Sequence, residues 1–376
     1  MRITPGLAAL LLVSLTSGPA VAADREPTGL PLWMKPILEL QPLAALRVED
    51  RLGSRETVPE LSLHRAELGL GVGGALAAAT LSVDISRGLP ELRDAFIDVG
   101  FLEGIVAVRA GFLRPPLGRE YLAAEDRHTL PEEPAALGVV DLQRELGVEL
   151  HGRLAGILSY GVGAWNGAAE GADGEPRQGD SLVLAGGRLA VEPLGPLPAE
   201  EGASDLEGGG PRLAFGAAAL FGRRSGVPFP SGGKIGAEYG EDRLRLGGEA
   251  ALKWAGVSAT GEIVWSTAKP APGTSAALEP RLPRVDGLGG YLQLAAFVVK
   301  RRLELAARCD AWDEDVDVGG ALISPTAGIS FYALGTAVVL RLAYGVKFAV
   351  MDPFPAESPY NEPVTHQVLL MLQLSV

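Results

Sequence analysis

The sequence predicts an all-β fold, a transmembrane antiparallel β-barrel of 16 strands, and three observations carry that prediction. Hydrophobicity alternates with period two along most of the chain beyond Leu30. The junctions between alternating segments largely switch between tight and long. Finally, 50 of the 376 residues are glycine while aromatics make up only 6%. Period-two alternation marks strands with one apolar and one polar face. An even strand number with tight turns at one end and long loops at the other describes a membrane-crossing barrel rather than a soluble sandwich. Glycine is tolerated on the lumen side and wherever strands approach closely.

Composition narrows the alternatives. Length alone allows two or three domains. The single Cys309 excludes a disulfide framework and any multi-cysteine zinc or iron–sulfur site. A net charge of −13 argues against nucleic acid as a partner, and the absence of a G-x-y period excludes collagen. Residues 1–23 place Arg2 before an apolar run from Leu7 to Leu15 and the small residues Ala20, Val21, Ala22 and Ala23. That is the layout of a secretory signal peptide, too short in its apolar run to span a bilayer. Residues 24–376 remain as a single barrel domain with no cofactor indicated.

Taken in chain order, the alternation gives strands at 36–49, 59–73, 74–87, 91–102, 104–112, 142–154, 157–166 and 182–192. It continues at 211–221, 243–255, 256–266, 287–300, 301–312, 326–333, 336–351 and 364–376. Representative faces are Leu146, Val148 and Leu150 against Glu145 and Glu149, and Leu303, Leu305 and Ala307 against Glu304 and Arg308. Tight turns fall at Gly73-Gly74, Glu103-Gly104, Ala155-Gly156, Ala255-Gly256, Lys300-Arg301 and Gly335-Thr336. Long loops fall at 113–141, 167–181, 222–242, 267–286, 313–325 and 352–363. Residues 193–210 break the pattern, being low in complexity where a short turn belongs. The charge-free stretch 318–340 reads as two short strands because Pro325, four glycines and scattered Ser and Thr interrupt it.

Several strings, in order, resemble the phosphate-selective porin O and P family. They include Asp94-Ala95-Phe96-Ile97-Asp98, then Val108-Arg109-Ala110-Gly111-Phe112-Leu113-Arg114-Pro115-Pro116-Leu117-Gly118-Arg119-Glu120. Arg144-Glu145-Leu146-Gly147-Val148, Tyr160-Gly161-Val162-Gly163-Ala164-Trp165-Asn166-Gly167 and Gly247-Gly248-Glu249-Ala250-Ala251-Leu252-Lys253-Trp254 follow. Gly290-Tyr291-Leu292-Gln293 and Leu303-Glu304-Leu305-Ala306-Ala307-Arg308 complete the series. The resemblance implies a bacterial outer-membrane porin, a homotrimer, with loop 113–141 folded into the lumen. It implies contact with outer-membrane lipid and lipopolysaccharide and passage of small hydrophilic solutes, including anions such as phosphate. The final strand departs from the family by ending Gln373-Leu374-Ser375-Val376 where such barrels finish in Phe or Trp. Aromatics for an interfacial girdle are sparse, with Trp254, Trp265 and Tyr344 the best placed.

Selectivity in such a channel is electrostatics at close range. Inward parity gives 11 cations, among them Arg109, Arg153, Arg245, Lys253, Arg308, Arg341 and Lys347, against 11 acids, so the lumen is balanced. Loop 113–141 adds Arg114, Arg119 and Arg127 among six acids and contains no lysine. Cross-strand pairing is the competing use for each of these charges. Arg109, Arg114 and Arg119 stand where a gate belongs, with Arg153, Arg245, Lys253, Arg308, Arg341 and Lys347 as further pore-lining candidates.

Other chemistries find little support, and the chain does not read as an enzyme. His151 beside Glu149 is a possible base, but no G-x-S-x-G or reactive-cysteine setting accompanies it. Cys309 has outward parity. The acid-rich run 310–317 lacks the glycine and closing glutamate of a calcium-binding EF-hand, and reads as a solvated loop or a divalent bridge to lipopolysaccharide. The expected function is passive diffusion through the outer membrane; the alternative is a plugged structural or adhesive barrel.

Overall fold

The computed structural model describes residues 33–51, 54–140, 142–166, 183–197, 210–225, 240–270, 284–317, 320–350 and 363–376. The signal peptide expected at 1–23 lies outside them. So do most of the long loops and residues 198–209 of the segment that broke the turn pattern.

Among the described residues, 16 strands form the wall. They are β1 (Trp33–Arg51), β2 (Ser54–Gly73), β3 (Ala77–Asp84), β4 (Glu91–Phe101), β5 (Val106–Leu113), β6 (Glu145–Leu154), β7 (Leu158–Trp165) and β8 (Val183–Val191). The series continues with β9 (Arg212–Ser225), β10 (Gly240–Trp254), β11 (Val257–Pro270), β12 (Val285–Val299), β13 (Leu303–Asp313), β14 (Leu322–Tyr332), β15 (Val338–Ala349) and β16 (Val364–Ser375). Each strand pairs antiparallel with its sequence neighbours, and β1 closes the barrel on β16 from Glu39↔Ser375 to Asp50↔Val364. Closure satisfies the backbone groups that an open sheet edge would leave bare in lipid.

Each expected strand is present, and the boundaries move most where strands rise above the loop-side rim. The loop expected at 222–242 gives its ends to β9 and β10, and the one at 267–286 gives its start to β11. The stretch 318–340 holds β14 and the first residues of β15, not a membrane helix. The segment 193–210 lies between β8 and β9, on the tight-turn side, and its described residues are 193–197 and 210. There Leu197 packs against the inward-facing Ala214 and Ala251.

The tight turns obey hairpin geometry. Ala255 and Gly256 form a two-residue connection with φ of 52° and 82°, the pair of positive φ angles that a type I′ turn demands. Gly256 adopts this without cost, whereas Ala255 carries a Cβ into the left-handed region.

The molecule is inverted relative to a soluble protein. Ile97, Leu146, Val148, Leu252, Leu292 and Tyr344 are exposed on the outside, as lipid-facing residues should be. Trp254 also stands exposed on this surface, and the thiol of Cys309 faces outward. Inside, buried side chains include Arg245, Glu262, Glu304, Arg308 and Arg341. Several aromatics turn inward as well, among them Tyr291, Trp312, Tyr332 and Trp165, whose indole covers the glycines at 147 and 163.

Candidate functional site: the lumen and its inserted loop

Between β5 and β6 the chain enters the lumen and crosses it. This segment contains the one-turn helix α1 (Arg119–Leu122) and the 3-10 turns Glu125–Arg127 and Ala135–Val140. Its root packs on the wall from β7 to β11, with Leu117, Val140 and Leu142 against Trp165, Leu184, Leu220 and Val264. Its middle reaches the far side, with Leu130 against Leu43, Ala295, Ala306, Ala343 and Leu369. Inward glycines provide the seats. A Cβ at Gly289 would stand 2.0 Å from the Ala136 carbonyl oxygen, one at Gly247 2.9 Å from that of Leu117, and one at Gly328 2.7 Å from Leu130.

Polar latches fix the loop at several points. Arg245 donates through Nε to the Val140 carbonyl at 2.6 Å. Arg308 donates to the carbonyls of Glu132 at 2.9 Å and Glu133 at 3.1 Å, while its Nε is held by Asp310 at 2.9 Å. The Ser330 hydroxyl donates to the Thr129 carbonyl, Gln367 to the Glu132 carboxylate and Gln373 to the Asp126 carbonyl. Inside the loop, His128 Nδ1 lies 2.9 Å from the Glu120 carboxylate, and the Glu120 backbone N–H donates to Glu262 of β11. Backbone carbonyls held by buried charged donors make strong, directional contacts.

The loop does not fill the whole section. A cavity of about 340 Å³ remains beside β1, β2, β4, β5 and the end of β16, bounded on its other side by residues 122–127 of the loop. Arg109 and Arg144 stand on it, each gripped by a carboxylate of β4. Arg109 donates through Nε and Nη2 to Asp98 at 2.9 and 2.8 Å, and its guanidinium lies 4.8 Å from the Phe96 ring centroid. Arg144 donates likewise to Asp94 at 3.1 and 3.3 Å. Arg114, also on the cavity, donates to the Tyr121 and Ala123 carbonyls and lies 5.4 Å from the Tyr121 ring centroid. Burial, with the positive Arg144 nearby, pulls the Arg114 guanidinium down to about 10, so it stays charged at neutral pH.

The expected pore-lining residues therefore separate. Arg109 and Arg114 reach the cavity, while Arg245 and Arg308 act as latches. Arg341 and Lys253 are each only 2% exposed, with Arg341 donating to Gln373. Arg153 sits at the tight-turn end in an ion pair with Glu192, and Lys347 lies 5.9 Å from the Trp312 ring centroid. Arg119 begins α1, half-buried inside the loop. His151 finds its carboxylate in Asp98 at 3.0 Å rather than in the neighbouring Glu149. Arg144, Arg127 and Lys35 on the cavity escaped the parity reading. Arg144 falls inside the strand expected at 142–154, on the outward parity of Leu146 and Val148, but β6 begins at Glu145 and Arg144 turns to the lumen. Arg127 lies in the loop, where alternation gives no signal, and Lys35 precedes the strand expected at 36–49. Among the described residues no cluster of potential metal ligands occurs.

No protein-family model matches the chain, and no curated protein matches it either. Among solved structures the barrel is similar to the anion-selective porin from Comamonas acidovorans, with a TM-score of 0.63 at 13% identity over 92% of this chain and 100% of that one. It is also similar to the outer membrane channel DcaP of Acinetobacter baumannii, with a TM-score of 0.59 at 9% identity over 92% of this chain and 97% of that one. A third is the trimer form of OmpT from Vibrio cholerae, with a TM-score of 0.57 at 10% identity over 91% of this chain and 99% of that one. The closed 16-stranded barrel, apolar outside and charged within, has the fold of outer-membrane porins and channels.

Proposed function

We propose that the chain is a passive outer-membrane channel for small hydrophilic solutes, with anions among them. The observation that carries this reading is the position of the inserted loop. It is latched to the wall from β7 round to β16 and leaves a cavity lined by Arg109, Arg114 and Arg144 beside β1–β5. Charged groups in a confined, low-dielectric lumen act on passing ions far more strongly than in water. Phosphate is a candidate solute because guanidinium groups bind oxyanions in bidentate fashion. Association as a homotrimer accords with the sequence resemblance. Reconstitution in planar bilayers tests the reading: stepwise conductance with a reversal potential displaced toward the anion limit in a KCl gradient is expected. A flat current trace at high protein density would refute it.

A second reading has its own observation. Polar groups on the lumen side of β10–β16, including Lys253, Gln293, Glu304 and Gln373, are almost fully buried, which fits a plugged structural barrel. Solute flux into proteoliposomes no faster than into empty liposomes would favour the plug.

A further inference from the structure

The chemistry of the cavity beside β1–β5 defines a solute class, and this step rests on the channel reading above. Apolar groups on its lining include Ile37 and Leu113 of the wall and Leu122, Ala123 and Ala124 of the loop. Its cationic groups are Lys35, Arg109, Arg114, Arg127 and Arg144, and they share the lining with Glu39, Glu67, Asp94 and Asp126. Five cations against four acids leave an excess of one positive charge. Behind the lining, Arg65 pairs with Glu67, while Asp98 and Glu149 flank Arg109 from the neighbouring strands.

Two of the guanidinium groups are oriented before any solute arrives. Arg109 and Arg144 each commit Nε and Nη2 to one β4 carboxylate, so Nη1 of each lies outside the pair. The Phe96 ring further restrains Arg109. Planar, pre-set donors suit a planar oxyanion.

We propose that this cavity is a transit site for monoanionic organic acids, molecules with one carboxylate on a compact apolar body, in preference to inorganic phosphate. One negative charge matches the excess of one positive charge. A dianion places its second charge among four carboxylates with nothing left to neutralise it. The apolar groups of the lining cover hydrocarbon and return nothing to a fully hydrated phosphate. The mixed lining thus discriminates twice, by charge number and by the body that carries the charge.

The test is influx into proteoliposomes carrying the full chain, with empty liposomes subtracted, at mildly alkaline pH where phosphate is a dianion. Benzoate, phosphate and xylose are compared. Benzoate entering about tenfold faster than phosphate is expected, the lower end of what a charge-lined cleft achieves. The double variant Arg109→Gln with Arg144→Gln leaves three cations against four acids on the lining and slows benzoate influx about tenfold while xylose influx persists. Phosphate entering as fast as benzoate through the unaltered chain overturns the proposal, and so does undiminished benzoate influx in the double variant. Xylose influx no greater than in empty liposomes removes the channel reading itself, an outcome distinct from loss of selectivity alone. If the double variant fails to fold, Arg109→Lys replaces it. That variant keeps the charge and loses the fork, and a reduced benzoate preference supports the proposal while an undiminished one contradicts it.

Discussion

The wall from β7 round to β16 and the wall from β1 to β5 both present inward arginines and put them to different uses. On the first, Arg245 and Arg308 direct their donors at backbone carbonyls of the inserted loop. On the second, Arg109 is held by a carboxylate of the neighbouring strand, with Nε and Nη2 both on Asp98. The difference follows from what each arginine faces. Loop carbonyls take up donors of Arg245 and Arg308, whereas on Arg109 an acidic side chain takes Nε and Nη2 and leaves Nη1 outside the pair. Residue type and strand parity are the same in both cases, so the role is decided by where the loop lies.

Substitutions can break this comparison at graded cost. The largest effect is expected for Arg308→Ala. It removes a buried ion pair with Asp310 together with two latches on the loop, and leaves Asp310 uncompensated. Loss of one partner of a buried pair costs roughly 3–5 kcal/mol. A lower thermal or urea midpoint, with noisier single-channel current from the loosened loop, is the expected outcome. Gly289→Val comes next. Its side chain would occupy the seat of the Ala136 carbonyl, and overpacking of that kind costs about 1–3 kcal/mol. Higher single-channel conductance should accompany the displaced loop, and an unaltered conductance would show that the loop does not define the passage.

A smaller pair of effects sharpens the contrast between the walls. Arg109→Gln should shift the reversal potential in a KCl gradient toward cations, because Asp98 is then left without its guanidinium beside the passage. Arg245→Gln should lower stability and leave the reversal potential nearly unchanged. Equal shifts for both would erase the distinction. The least effect on transport belongs to Gly256→Val at the turn after β10. It forces a β-branched residue to a φ of 82°, costing roughly 1–2 kcal/mol in stability without altering conductance.

Much of the architecture was legible because a barrel wall repeats one rule at every strand. Alternation such as Leu146, Val148, Leu150 against Glu145 and Glu149 needs no tertiary information, since lipid on one side and lumen on the other impose it directly. Strand ends were less legible. Residues such as Arg223 and Asp242, paired at 2.6 Å near the rim, stand beyond the apolar belt, where both faces are polar and alternation fades. The lumen was the least legible region. Equal numbers of inward cations and acids described a balanced interior, yet that balance is uneven in space, with latches on one side and a cavity on the other. Glycines 247, 289 and 328 looked like ordinary strand glycines, and only the seated loop reveals why a side chain is excluded there. Entry of the loop itself was anticipated from family resemblance and not from any periodicity.

The central claim is that one open route runs beside β1–β5 while the opposite wall is sealed by the loop. Thiol accessibility tests it most directly, in a Cys309→Ser background that removes the outward-facing native thiol. Arg109→Cys and Thr260→Cys are each reconstituted in planar bilayers and exposed to a membrane-impermeant, thiol-reactive reagent. Thr260 is inward-facing on β11 and only 2% exposed, whereas Arg109 lines the cavity. The account predicts a stepwise fall in current for the Arg109→Cys channel and none for the Thr260→Cys channel. Block at Thr260→Cys with no effect at Arg109→Cys would contradict it.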